Sequence, residues 1–208
     1  MVCINCNPGS IIKVIKVTKD LLHCAICGAK VIHTKTVDSR WDSYFHKICE
    51  TIAYKSPCLS RQIGAILVKD KSIVSTGYNG PSRGIPHCGY DRVMKDKTLS
   101  DSIVYTTKDI RFKDECPRRV LGYPSGTHME LCPAQHAEEN AISNAARLGV
   151  SVLGSTLYMN CVIPCKNCFG TLINSGIVEI VVDDVVVYDK YTQYLIDNSS
   201  IKIRRFEL

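Results

Sequence analysis

The chain contains no run of about eighteen apolar residues, the minimum for a helix that crosses a bilayer. Its opening, "MVCINCNPGS", has neither the basic stretch nor the apolar stretch of a secretory signal, and the expectation is an intracellular, cytoplasmic protein. Internal repeats and low-complexity tracts are also missing, which excludes repeat arrays and leaves an ordinary packed domain. Nor does one sign of charge dominate. With 26 Lys and Arg against 20 Asp and Glu, the formal charge of +6 suits an anionic small molecule as well as it suits nucleic acid, so it selects neither.

What the chain does have is cysteine, 12 in 208 residues, within a composition that is 45% hydrophobic and able to bury a core. In a reducing compartment clustered cysteines favour metal thiolates over disulfides, and zinc is the leading ion. Two C-x2-C pairs open the sequence, Cys3 with Cys6 and Cys24 with Cys27, in the four-thiolate spacing of a structural zinc ribbon. The β-branched runs "IIKVIKVT" and "AKVIHTKTV" read as the short strands of such a module, bounded at residues 1–38. A unit this small cannot build a sufficient core, so the metal would supply much of its folding free energy.

A second unit spans residues 39–208. In "WDSYFHKICETIAYKS" the residues Tyr44, Phe45, Ile48, Ile52 and Ala53 share one helical face, and Pro57 stops the helix. "QIGAILVKD" and "SIVSTGYNG" then read as two strands of an antiparallel hairpin joined by a polar turn. Residues 89–115 show no strong periodicity and read as a long insertion with one short strand at "SIVYTT". After it the pattern alternates: helix from about 134 to 148, strand "STLYMNC", helix "CKNCFGTLINSG", strand "IVEIVVDD", helix around 188–197, strand "IKIRRFEL". A hairpin followed by alternating strands and helices predicts an α/β fold in three layers, α/β/α, around a mixed five-stranded sheet.

The chemistry lies in "AQHAEENAISNAA" and "PCKNC". Pro164 precedes a helical run, so Cys165 and Cys168 fall three apart on its first turn and both sulfurs can face one point. The partial positive charge of a helix N-terminus favours the thiolates that a metal needs. His136 opens the preceding helix, and the single strand between lets two parallel helices bring their N-termini together on one side of the sheet. Three protein ligands leave a fourth position open for water, the pattern of catalytic zinc. Glu138, two residues after the histidine, points away from the ligand direction and is better placed to move protons beside the metal. A lone C-x2-C or H-x-E would signify little; their combination, in this order and before matching helices, is specific.

H-x-E followed by P-C-x-x-C is the signature of zinc nucleobase deaminases. "RWDSYFHKICETIAYKSPCLSRQIGAILV", "STGYNGPSRGIPHC", "YPSGTHMELCPAQHAEENAI" and "STLYMNCVIPCKNCFGTLINSGI" resemble the deoxycytidylate (dCMP) deaminase family, over roughly residues 40–205. The resemblance implies hydrolytic deamination of dCMP to dUMP and ammonia, supplying thymidylate synthesis, with zinc on His136, Cys165 and Cys168 and Glu138 as the proton carrier. It implies that the Ala137 backbone holds the ring carbonyl, that Asn79 binds the deoxyribose hydroxyl and that Arg61 binds the phosphate. An exposed surface arginine and a plain Asn-Gly turn are the competing readings of these last two. The loop of Gly77, Tyr78 and Gly80 resembles the region that senses dCTP as activator and dTTP as inhibitor, with Mg²⁺ accompanying a triphosphate effector. Arg147 matches a position near the subunit interface and effector site, or else caps its helix.

Relatives of this kind also carry a second, structural zinc. Its implied ligands here are Cys58, Cys88, Cys116 and Cys132, with His87 or His128 as a replacement for one of them, while Cys49 and Cys161 are left as core residues. Three zinc ions per chain are thus expected, one catalytic and two structural, in a homo-oligomer that is a hexamer by resemblance. Membrane and nucleic-acid partners are not expected. The alternative is a deaminase of cytosine or adenine in RNA or DNA that grips its substrate with the ribbon, against which the "GYNG" and "GIPHC" loops argue.

Overall fold

Successive side chains of a strand point to opposite faces of the sheet, and in the central strands both faces are buried. The computed structural model describes residues 14–16, 22–24, 39–97, 99, 110–124, 126–187 and 189–208. Strands β1 (Val14–Lys16) and β2 (Leu22–Cys24) pair antiparallel, with Val14 opposite Cys24. Cys24 ends β2, whereas Cys3, Cys6 and Cys27 lie outside the described residues, as does the "SIVYTT" strand expected at 102–107.

Helix α1 (Ser39–Ala53) leads into the hairpin of β3 (Gly64–Lys69) and β4 (Ser72–Tyr78), whose turn residues Asp70 and Lys71 both have positive φ, 50° and 60°. That handedness matches the twist of the flanking strands, as in the primed turns that favour hairpins. Strands β7 (Thr156–Val162), β8 (Glu179–Asp184) and β9 (Lys202–Arg205) complete a five-stranded sheet of order β4-β3-β7-β8-β9. β3 runs antiparallel to both neighbours, and β7, β8 and β9 run parallel. The sheet is therefore mixed, as the alternating pattern predicted.

One face of the sheet presents Ala65, Leu67, Leu157, Met159, Ile180, Val182 and Ile203. Against it pack Ala137 and Ala141 of α4 (Ala137–Leu148), Phe169 and Leu172 of α5 (Lys166–Asn174), and Ile196 of α6 (Lys190–Asp197). The other face presents Ile66, Val68, Tyr158 and Val181 to Phe45 and Cys49 of α1. Central strands covered on both faces read as continuous apolar runs, which explains "GAILV" and "EIVV". α1 is also locked to the last strand: Asp42, fully buried, accepts from both terminal nitrogens of Arg204 at 2.5 and 3.0 Å and from the Glu207 amide at 2.9 Å.

Two expectations change. The helix expected from about 134 starts at Ala137, because Ala134 and Gln135 form strand β6 and pair with β5 (Gly80–Pro81). The stretch expected to be an irregular insertion contains α2 (Tyr90–Lys95) and a 3₁₀ turn at Ile110–Lys113, followed by α3 (Pro117–Val120). Val93, Leu99 and Phe112 form a small core there with Val120 and Leu121. These positions lie too far apart in sequence to produce a periodic signal. No helix among the described residues is long and apolar enough to cross a membrane.

Candidate metal centre

The extended pairing of β6 delivers His136 to the N-cap of α4 in β conformation, and Glu139 accepts the His136 amide at 3.4 Å. On the other side of β7, Pro164 leads into Cys165, the N-cap of α5, whose carbonyl accepts from Phe169 N at 2.8 Å. The two N-termini meet. His136 Nδ1 lies 3.6 Å from Cys165 Sγ and 3.3 Å from Cys168 Sγ, and the two sulfurs are 3.5 Å apart. Zinc bonds of about 2.0–2.3 Å in a tetrahedron give ligand separations of about 3.3–3.8 Å, so the trio fits the ion. Among the described residues this is the one group of three or more such side chains gathered within 4.8 Å.

The electrostatics match. The neighbouring Cys168 thiol, and then His136, hold Cys165 down to about 3, while the same contact and burial push Cys168 up. Hydrogen bonding to Cys165 raises His136 to about 9. A dication held by His136, Cys165 and Cys168 would take the place of these shared protons. Glu138 occupies the first turn of α4, only 4% exposed, and burial raises its carboxyl above the usual carboxylate range. A carboxyl placed there can exchange protons beside the trio.

α4 is pinned to β4 with little clearance. A Cβ at Gly77 would lie 2.3 Å from the Ala137 carbonyl oxygen and from Ala141 N, so only glycine permits this approach. Ser75 Oγ donates to Ala141 O at 2.6 Å, Asn144 Nδ2 to Thr76 O at 2.9 Å and Asn140 Nδ2 to Tyr78 O at 2.8 Å. Gly77 thus has a packing reason independent of any effector. Tyr78 is exposed, Gly80 pairs with Gln135, and exposed Arg147 lies about 16 Å along the helix from His136 by the rise per residue.

Asn79 is buried and its amide is engaged: Oδ1 accepts from Ile63 N and Nδ2 donates to Arg61 O, both at 2.8 Å. One N–H and one lone pair remain for a ligand. Arg61 is exposed, with a guanidinium nitrogen 3.7 Å from Cys161 Sγ. Cys49 is a core residue as expected, and half-buried Cys161 packs against the main core while bordering Arg61. Ala137 is buried, and its amide is one of the first-turn donors without an intrahelical acceptor.

The other four cysteines gather in part. Cys88 and Cys116 are hydrogen-bonded, which holds Cys116 down to about 5 and pushes Cys88 up, and Cys58 acts on Cys88 electrostatically. No three of Cys58, Cys88, Cys116 and Cys132 come within 4.8 Å of one another. His87 Nδ1 accepts from Cys88 N at 2.5 Å, and its buried Nε2 has no hydrogen-bond partner among the described residues. Exposed His128 stacks on Tyr123 at 3.7 Å and bonds Glu130 at 2.8 Å.

Comparison with known proteins agrees with this chemistry. A family model described as the cytidine and deoxycytidylate deaminase zinc-binding region matches residues 39–183. The chain is 31% identical to a deoxycytidylate deaminase of Saccharomyces cerevisiae over 80% of its own length and 45% of the relative's. It thus spans less than half of that protein. It is 32% identical to the deoxycytidylate deaminase of Mycobacterium phage D29 over 68% of its length and 92% of the relative's. A cyanophage S-TIM5 dCMP deaminase, solved in complex with dCMP and dUMP, has the same fold, with a TM-score of 0.53, 18% identity, and coverage of 82% of this chain and 99% of that one.

Proposed function

Because the chain belongs to the cytidine and deoxycytidylate deaminase family, we propose that it deaminates dCMP hydrolytically, taking up water and giving dUMP and ammonia. The observation that carries this is the trio of His136, Cys165 and Cys168 with buried Glu138 two residues along from its histidine. Zinc held by these three side chains would supply an activated water. Glu138 accepts a proton from water, delivers it to N3 of the cytosine ring, and assists the C4 amino group as the C4–N bond breaks and a C4–O bond takes its place. The Ala137 amide orients the ring carbonyl. Asn79 offers its remaining N–H and lone pair to the sugar hydroxyl, and Arg61 meets the phosphate. These assignments bind and orient a mononucleotide from three sides while the packed face of α4 excludes bulk water beneath it.

The same reading assigns dCTP and dTTP to effector binding near Tyr78 and Gly80, with Mg²⁺ on the triphosphate and Arg147 acting across a subunit contact in a homo-oligomer. It keeps residues 1–38 as a zinc ribbon and gives Cys58, Cys88, Cys116 and Cys132 to a structural zinc. The neighbouring thiols of Cys88 and Cys116 support the latter. The test is ammonia release from dCMP, dCTP, CMP, deoxycytidine and a cytosine-containing oligonucleotide, by wild type and by Glu138→Gln. We expect dCMP to be preferred and the variant to lose about 10²–10⁴-fold while retaining its zinc. Unchanged turnover in the variant rejects Glu138 as proton carrier; preference for the oligonucleotide rejects the mononucleotide reading.

A further inference from the structure

We propose that Asp189 is a positioning residue for the metal centre: one carboxylate ties the cap of α6 to the first turn of α5 and so fixes the turn that carries Cys165 and Cys168. This rests on the reading of that trio as a metal centre. Asp189 Oδ1 accepts from Thr192 N at 2.6 Å, an ordinary N-cap bond. Oδ2 has two further donors, Thr192 Oγ1 at 2.5 Å and Lys166 N at 3.3 Å. Thr192 is 1% exposed, so a buried hydroxyl holds the carboxylate in place.

Lys166 directly follows Cys165, and its amide is one of the four first-turn donors that α5 leaves unpaired. Accepting that donor restrains the peptide between the two metal-binding cysteines. A second contact spans the same gap, with Lys166 Nζ 5.7 Å from the centre of the Tyr191 ring. α6 is itself anchored, since Ile196 packs in the same core as Phe169 and Leu172 of α5. The helix following β8 thereby braces a metal-binding turn that lies 23 residues earlier in sequence.

Two variants separate bracing from capping. In Asp189→Asn the amide oxygen can still cap Thr192 N, but its NH₂ then faces the Lys166 donor; in Asp189→Ser the hydroxyl can cap but is too short to reach Lys166. Full-length protein loaded with zinc or cobalt(II) is measured for metal release to a chromogenic chelator, for the thiolate-to-cobalt charge-transfer bands and for its thermal midpoint. Release from the trio is identified by its loss in His136→Ala. We expect both variants to release zinc about 10-fold faster, with shifted cobalt bands and a near wild-type midpoint, and Asp189→Ala to lose midpoint as well. Wild-type release rates and bands in Asn and Ser, with only the Ala midpoint lowered, would reduce Asp189 to a helix cap. No His136-dependent metal in wild type would overturn the metal-centre reading, and this inference with it.

Discussion

A methyl group at position 77 would strike the backbone of α4 at Ala137 and Ala141 rather than any movable side chain. Gly77→Ala should therefore cost about 1–3 kcal/mol, as overpacking does, which at about 2–4 °C per kcal/mol for a chain of this size is visible by calorimetry. Turnover should also fall in ammonia-release assays run well below the midpoint, because Ala137 and Glu138 must shift with the helix. At this scale the metal trio was legible: H-x-E and P-C-x-x-C are short spacings whose geometry one helical turn fixes. Asn79 was legible as an important amide, but not as the clamp on residues 61 and 63, since that depends on where the loop before β3 returns. Asp189 shows the limit most clearly. D-x-x-T marks a helix start, yet no local pattern reveals that the carboxylate reaches back to Lys166.

Among the elements, α1 and β9 are joined by a pair that sequence periodicity does not detect. Asp42 sits 162 residues from Arg204, and both are buried, with Glu179 accepting from Arg204 Nε at 3.2 Å. Removing Asp42 takes two charge-assisted hydrogen bonds from buried Arg204 and leaves Glu179 as its remaining carboxylate, so Asp42→Ala should lose about 3 kcal/mol in denaturant unfolding. The helices and strands were legible because their apolar repeats are strong and their ends carry Pro and Gly. Residues 134–136 were misread as helix for a tertiary reason: pairing with Gly80–Pro81 holds them extended, and propensity yields to that partner. The packed cluster of Val93, Leu99 and Phe112 was hidden by the spacing of its members.

For the whole molecule, the proposal counts three zinc ions per chain. Elemental analysis should find about three equivalents, with one lost in His136→Ala and a different one lost in Cys88→Ser; prolonged chelation should abolish turnover and lower the thermal midpoint, and added zinc should restore both. A wild-type count of one would confine metal to the trio. The pairing of Gly80 with Gln135 has a further consequence, because the stretch from 82 to 133 departs and comes back at adjoining rungs of a two-strand ladder. Lengthening or trimming such a closed excursion leaves its anchor points where they are, and each doubling of a flexible loop costs only about 0.6 kcal/mol. The excursion nonetheless carries its own small core at Val93, Leu99 and Phe112 and the Cys88–Cys116 contact, so extra residues are best absorbed at its surface, where they disturb neither those groups nor the rungs that hold its two ends.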